Sequence, residues 1–354
     1  MSFETPTRLN YVQALRGFAA SLVLLSHLGQ FEASTLTNSI LLVSTVWGNM
    51  GVDLFFVISG FIMVYITRDG YEGGPKRVPE FLFARVTRIY PLYWIVSAAL
   101  LIVWLIRPNL VFSSSGNDPQ LLNSLLLLPA YAYPLLEVGW TLVYEMMFYI
   151  FFAFLLILPM RWRGWGLLAS AGIVSVGYAL GWQGGSALQF HLFSPLVLEF
   201  LAGTFTGLTY LRLKGSKPLA FSLVIVGLMG LLVWFFLGAP FEDQGPRVWR
   251  LTLPACALIL GAAWLDRFEM KPPKFAVTLG DWSYSLYLTH LLSLGLVAQL
   301  WLLMGWESTS SLPFLIVAIA LSIGVSGLTY RLIEAPLIQK AREARQNLFP
   351  KSER

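Results

Sequence analysis

The chain has 354 residues, of which 56% are apolar, 15% aromatic and 12% charged, with a mean hydropathy of +0.68. A soluble protein carries about 25% charged residues, so this composition excludes a water-soluble domain, and the long apolar blocks exclude a disordered or fibrous chain. The net charge of +5 is scattered in short Lys and Arg clusters between those blocks, which argues against nucleic acid as a partner, and the single cysteine, Cys256, excludes an intrachain disulfide and a thiolate metal cluster.

Stretches that cover about 30 Å of hydrocarbon at about 1.5 Å per residue place ten membrane spans near 11–30, 51–67, 89–107, 138–159, 164–182, 191–211, 218–238, 249–266, 282–304 and 312–333. Arg16 and His27 interrupt the first apolar block and further spans follow it, so it is expected to stay in the mature protein rather than to be cleaved as a signal. Turn-forming breaks separate the spans, among them Gly70 to Pro79, Ser113 to Pro119 and Phe241 to Pro246. Segments 39–50 and 120–134 are apolar but short, and Gly48, Pro129 and Pro134 interrupt them, which predicts re-entrant or interfacial pieces.

Sorting all 24 Lys and Arg residues to alternate sides of this arrangement leaves Arg107, Arg247 and Arg250 on one face and the other 21 on the opposite face. The positive-inside bias then puts both termini in the cytoplasm. The expected fold is an all-α polytopic membrane protein of about ten transmembrane helices. One transmembrane domain is expected over 1–338, with a charged cytoplasmic tail, a solvated end, over 339–354. No internal repeat of transporter type is visible.

Ionisable groups within spans are costly and are therefore candidates for function. Arg16 and His27 are eleven residues apart, about 1100° of helical rotation, so both project from one face about 16 Å apart. Arg16 then lies near the cytoplasmic surface and His27 about one turn from the external one. The plain alternative is an arginine snorkelling to the inner interface and a packed polar histidine. Glu145, in the fourth span, falls at a depth close to that of His27, where a carboxylate can orient an imidazole and raise its basicity; a structural ion pair would read the same way. Asp53, at the external start of the second span, either lines the same cavity or caps its helix. Arg85 and Arg88, three residues apart before Ile89-Tyr90-Pro91, present planar donor forks suited to phosphate, or serve only as topology anchors. Ser59, Trp140, Tyr144 and His290 are candidates for lining or supporting the cavity. Glu199 and His290 fall at mid-membrane and face the bundle interior, with the role of each left open.

Together these residues describe a phosphate site at the inner face joined through the protein to an acid-base pair near the outer face, a geometry that fits group transfer across a membrane. The chain has no Gly-x-Ser-x-Gly elbow, His-Glu-x-x-His, P-loop or dinucleotide fingerprint. A polysaccharide or lipid-linked sugar exporter is the alternative, since buried charges also line substrate routes.

Six segments, LRGFAASLVLLSH at 15–27, GVDLFFVISGF at 51–61, FLFARVTRIYPLYW at 81–94, GWTLVYEMMFY at 139–149, LGDWSYSLYLTH at 279–290 and YRLIEAPL at 330–337, resemble the membrane acyltransferase-3 family, most closely its exopolysaccharide O-acetyltransferase branch. The resemblance implies a ten-helix enzyme of the bacterial inner membrane. Such an enzyme takes an acyl group, usually acetyl from cytoplasmic acetyl-CoA, and places it on a hydroxyl of an extracytoplasmic carbohydrate, free or lipid-linked, without a metal. It also implies that His27 and Arg16 are essential and that Arg85 and Arg88 help to hold the donor. Gln13 stands where many members have an acidic residue and Ser26 where they have an aromatic one, which raises the interest of Glu145 as the available carboxylate. On this reading His27 and Glu145 are catalytic, and Arg16, Arg85 and Arg88 bind the donor.

Overall fold

A computed structural model describes residues 8–41, 45–68, 75–108, 111, 120–237 and 244–350. In chain order its helices are α1 Asn10–Thr35, α2 Thr45–Ile66, α3 Val78–Ile106, α4 Leu121–Leu126, α5 Gly139–Ile157, α6 Met160–Ala179, α7 Ala187–Leu192, α8 Leu196–Arg212, α9 Lys217–Phe236, α10 Gln244–Arg267, α11 Lys274–Asp281, α12 Ser283–Leu303, α13 Ser311–Thr329 and α14 Ala335–Leu348. Between the last two, Tyr330–Glu334 forms a π-helical turn, so 311–348 is one continuous 38-residue rod. The expected breaks at Gly70 to Pro79, Ser113 to Pro119 and Phe241 to Pro246, and the end of the expected tail, fall wholly or partly outside the described residues.

Among the described residues eight helices are long and apolar enough to cross a membrane: α1, α2, α3, α5, α9, α10, α12 and the rod that starts with α13. The other two expected spans exist as helices but fall short of that test. In α6, Arg161, Arg163 and several glycines and serines dilute the apolar content, and α8 has 17 residues, because Ser194 and Pro195 separate it from the six-residue α7. On α9, the most apolar helix, Ala220, Gly227 and Leu231 are the buried residues, while Ile225, Val226, Met229 and Phe236 are exposed. Such a surface is stable only against lipid.

Three expectations are corrected. The second half of the 39–50 segment, 45–50, is the start of α2 rather than a separate piece. The third helix begins at Val78, with Pro79 in its first turn, and Pro91 lies inside it, so Arg85 and Arg88 stand within the helix and not ahead of it. A proline at a first turn costs nothing, and one inside a transmembrane helix is tolerated because neighbours re-satisfy the freed carbonyl. Asp53 lies well inside α2 and is not its cap.

The chain forms two compact units, 1–68 with 194–322 and 69–193 with 323–354. In the first, α1, α2, α8 and α10 pack around Leu54, Val57, Phe61, Tyr210, Leu258 and Trp264. Helices α2 and α8 approach closely through Gly60, Gly203 and Gly207. A Cβ at Gly203 would stand 2.0 Å from the Val57 carbonyl oxygen, and one at Gly60 would stand 2.0 Å from that of Phe200. This is the small-residue contact by which membrane helices associate when no hydrophobic force separates lipid from protein.

In the second unit, α4 occupies part of the segment 120–134. Its unsatisfied end is gripped by α3: Tyr93 Oη donates to the Ser124 carbonyl (2.7 Å), Trp94 Nε1 to that of Leu125 (2.8 Å) and Tyr90 Oη to that of Leu126 (2.7 Å). A six-residue helix cannot satisfy its own terminal carbonyls, and this aromatic clamp does so from the IYPLYW sequence.

Candidate functional site

His27 lies in the long first helix and His290 in α12, and both belong to the first unit. Their rings stand 5.2 Å apart, tilted by 41°. His290 is 1% exposed; its Nδ1 lies 3.0 Å from the Leu286 carbonyl oxygen, which can only accept, so the proton sits on Nδ1 and Nε2 carries the lone pair. Among the described residues nothing hydrogen-bonds to His290 Nε2 or to the buried Nδ1 of His27, while the His27 side chain is hydrogen-bonded to that of Gln30. Two imidazoles with unused ring nitrogens side by side form a proton-accepting site inside the bundle.

At the other end of α1, Arg16 donates to Gln13 Oε1 (3.3 Å), Gln13 Nε2 to Asp281 Oδ1 (3.0 Å), and Arg8 pairs with the same oxygen at 2.5 Å. A carboxylate thus reaches Gln13 from α11, in the segment that also carries His290. Their separation of 268 positions hides this partnership from the sequence.

Asp53, expected as a cavity residue, is fully buried, and Arg247 spans it, with Nε 3.0 Å from both carboxylate oxygens and Nη2 also donating to the Asn49 carbonyl (3.3 Å). Glu199 of α8 is fully buried too and faces the Asp53 carboxyl, and no N–H or O–H donor among the described residues reaches its oxygens. The guanidinium is bonded to Asp53 and acts on Glu199 only through its charge, so Asp53, Glu199 and Arg247 form one buried cluster. Arg247, sorted by the sequence only to one side of the membrane, belongs to this cluster. Ser59, also on α2, is half-buried. Glu32 was missed: fully buried near the end of α1, it accepts from the Ile40 and Leu41 amides (2.9 Å each) and from the Ser311 hydroxyl, and so ties the turn after α1 and the start of α13 to one carboxylate.

The other expected residues belong to the second unit. Glu145, in the second turn of α5, accepts a hydrogen bond from Tyr149 Oη one turn on. Trp140 meets Tyr144 edge-on with centroids 6.0 Å apart, and Tyr144 lies 4.8 Å from the His191 ring. Glu137, just before α5, was missed; its Oε2 is buried without a hydrogen bond among the described residues, and burial raises its pKa. Nothing in its sequence context distinguishes it from a surface loop carboxylate.

Arg88 pairs with Glu334 at 2.6 Å, the last residue of the π turn. Such a turn re-aims side chains and is frequent at functional sites. Arg85 lies 6.0 and 5.8 Å from the ring centres of Phe81 and Tyr149, and its Nε is buried without an acceptor among the described residues. Between α3 and α14 is a cavity of about 170 Å³, lined by Arg85, Thr87, Arg88, Ile338, Arg342 and Arg345.

An all-helical chain with eight candidate spans and buried ionisable clusters is a polytopic membrane protein. The chain belongs to the acyltransferase-3 family, whose acyltransferase domain matches residues 9–331, and it is therefore a membrane-bound acyltransferase. It is 32% identical over 316 residues to the exopolysaccharide production protein ExoZ of Rhizobium meliloti (strain 1021), covering 84% of this chain and 92% of that one. It is 26% identical over 369 residues to the acyltransferase MdmB of Streptomyces mycarofaciens, covering 94% and 92%. No solved structure matches. Family membership decides for the enzyme over the exporter.

Proposed function

We propose that the protein transfers acetyl from cytoplasmic acetyl-CoA to a hydroxyl of an extracytoplasmic carbohydrate, an exopolysaccharide or other envelope glycan, free or lipid-linked, in the bacterial inner membrane with both termini cytoplasmic. The observation that carries this reading is the His27–His290 pair, an acid-base site buried among spans of a family acyltransferase. The similarity to ExoZ, an exopolysaccharide production protein, supports the carbohydrate acceptor.

On this reading Arg85, Arg88 and Arg16 orient the phosphates and arm of the donor. His27 takes the proton of the sugar hydroxyl as its oxygen attacks the thioester carbonyl, and Glu145 is the second residue assigned a catalytic role. The tetrahedral intermediate expels the coenzyme A thiolate, which takes the proton back from His27, leaving an O-acetyl ester. Asp53, Ser59, Trp140, Tyr144 and His290 support the cavity. The test is the base-labile O-acetyl content of surface polysaccharide in cells lacking the protein, cells restored with it, and cells with His27→Ala at equal membrane abundance. Acetyl groups present only with the intact protein support the reading; unchanged acetylation overturns it.

A further inference from the structure

α14, which begins before the charged tail expected from the sequence and runs into it, lies along α3, and Phe349 packs on Phe83 with ring centres 6.0 Å apart. The residues that line the cavity between the two helices include Arg85, Arg88, Arg342 and Arg345 and no carboxylate. Glu334 neutralises Arg88 from the side, and the carboxylate of α14 itself, Glu343, is exposed and accepts from Gln339 (3.1 Å). Four arginines, one of them paired with Glu334, therefore line one concavity with no acid among its lining residues, and the buried Nε–H of Arg85 still lacks an acceptor among the described residues. Like charges brought together repel one another unless an anion joins them. Planar guanidinium forks match the oxygens of a phosphoryl group, and the cavity has room for several water volumes, enough for such a headgroup.

We propose that this cavity is a phosphoryl-binding site in which Arg342 and Arg345 of α14 join Arg85, with Arg88 held in place by Glu334. α14 is then a wall of the site rather than a tail. The inference rests on the proposed function for its ligand: the phosphates of the acyl-CoA nucleotide. The headgroup of an anionic phospholipid offers the same chemistry.

The test uses the full chain in phosphatidylcholine nanodiscs, titrated by calorimetry with adenosine 3′,5′-bisphosphate and, as a phosphate-free control, pantetheine. Wild type should bind the bisphosphate, more weakly as salt rises, and not pantetheine; the double variant R342Q/R345Q should bind it at least tenfold more weakly. Its thermal transition should be unchanged, because Arg342 is exposed and Arg345 half-buried at the cavity rim. Unchanged affinity in the double variant, or no binding by wild type, overturns the site. A second titration in nanodiscs containing phosphatidylglycerol separates the sources. Undiminished nucleotide affinity assigns the site to the donor and competition assigns it to a lipid headgroup, and both support phosphoryl binding. If the bisphosphate depends on these arginines while wild type transfers no acetyl group, the site stands and the proposed function fails. If transfer proceeds and the arginines do not matter for binding, the reverse holds.

Discussion

The imidazole rings of His27 and His290, 263 positions apart in the chain, lie 5.2 Å from centre to centre inside the first unit. The Leu286 carbonyl fixes the His290 tautomer, leaving its Nε2 lone pair available. Removing a general base costs about 10²–10⁴-fold in rate. His27→Gln should therefore lose transfer by at least about that factor while the protein stays folded and inserted. His290→Gln should lose less, since His290 supports rather than accepts. Transfer rates at equal membrane abundance check both, and a larger loss in His290→Gln than in His27→Gln would place the base on His290.

The Asp53–Arg247 pair is buried on both sides, so it resists the loss of one partner more poorly than the loss of both. Asp53→Asn leaves a buried guanidinium without its carboxylate, which should cost about 3–5 kcal/mol. Glu199→Gln removes the second acid facing Asp53 and should be close to neutral or stabilising. Thermal unfolding of the purified protein, followed by tryptophan fluorescence, ranks the two variants.

Gly203 has no room for a side chain, because a Cβ would meet the Val57 carbonyl oxygen at 2.0 Å. A backbone carbonyl in the middle of a helix cannot turn away, so α2 and α8 must separate. Gly203→Ala should cost at least about 1–3 kcal/mol as overpacking, seen as a lower unfolding temperature and lower membrane abundance.

Glu334 is 2% exposed at its side chain, and its partner Arg88 is 25% exposed. Glu334→Gln should release Arg88 from its position beside the phosphoryl cavity. The expected result is a several-fold higher KM for the acyl donor with little change in kcat at saturation. A kcat loss at unchanged KM would make the pair a general structural tie.

Burial raises the Glu137 pKa in the folded protein above its ordinary value of 4.5. The folded state then binds more protons than the unfolded one, so stability falls as pH rises through the window between the unfolded and folded pKa values. Glu137→Gln is neutral at every pH. Its unfolding temperature relative to wild type should therefore rise from about pH 4.5 upward and level off once wild-type Glu137 is ionised in both states. A difference independent of pH would show that the carboxyl is solvated.

Hydrophobicity is a sum over local residues, so the sequence by itself determined that the chain is a helical membrane protein and which apolar stretches become its helices. Six ordered motifs determined the family. It misplaced the start of α3, because Pro91 reads as a helix opener whether it begins a helix or sits inside one. Partnership was decided only by tertiary structure. Arg16 and His27 on one face of α1 follow from 3.6-residue periodicity, whereas Asp281 beside Gln13, Glu199 beside Asp53 and Arg247, and His290 beside His27 follow from helix crossings set by glycines at Gly17, Gly60, Gly203 and Gly280. That α14 packs along α3 is likewise not encoded in either helix alone. Local sequence sets which residues a helix can offer, and the packing angles between helices, which no local window encodes, set what each residue meets.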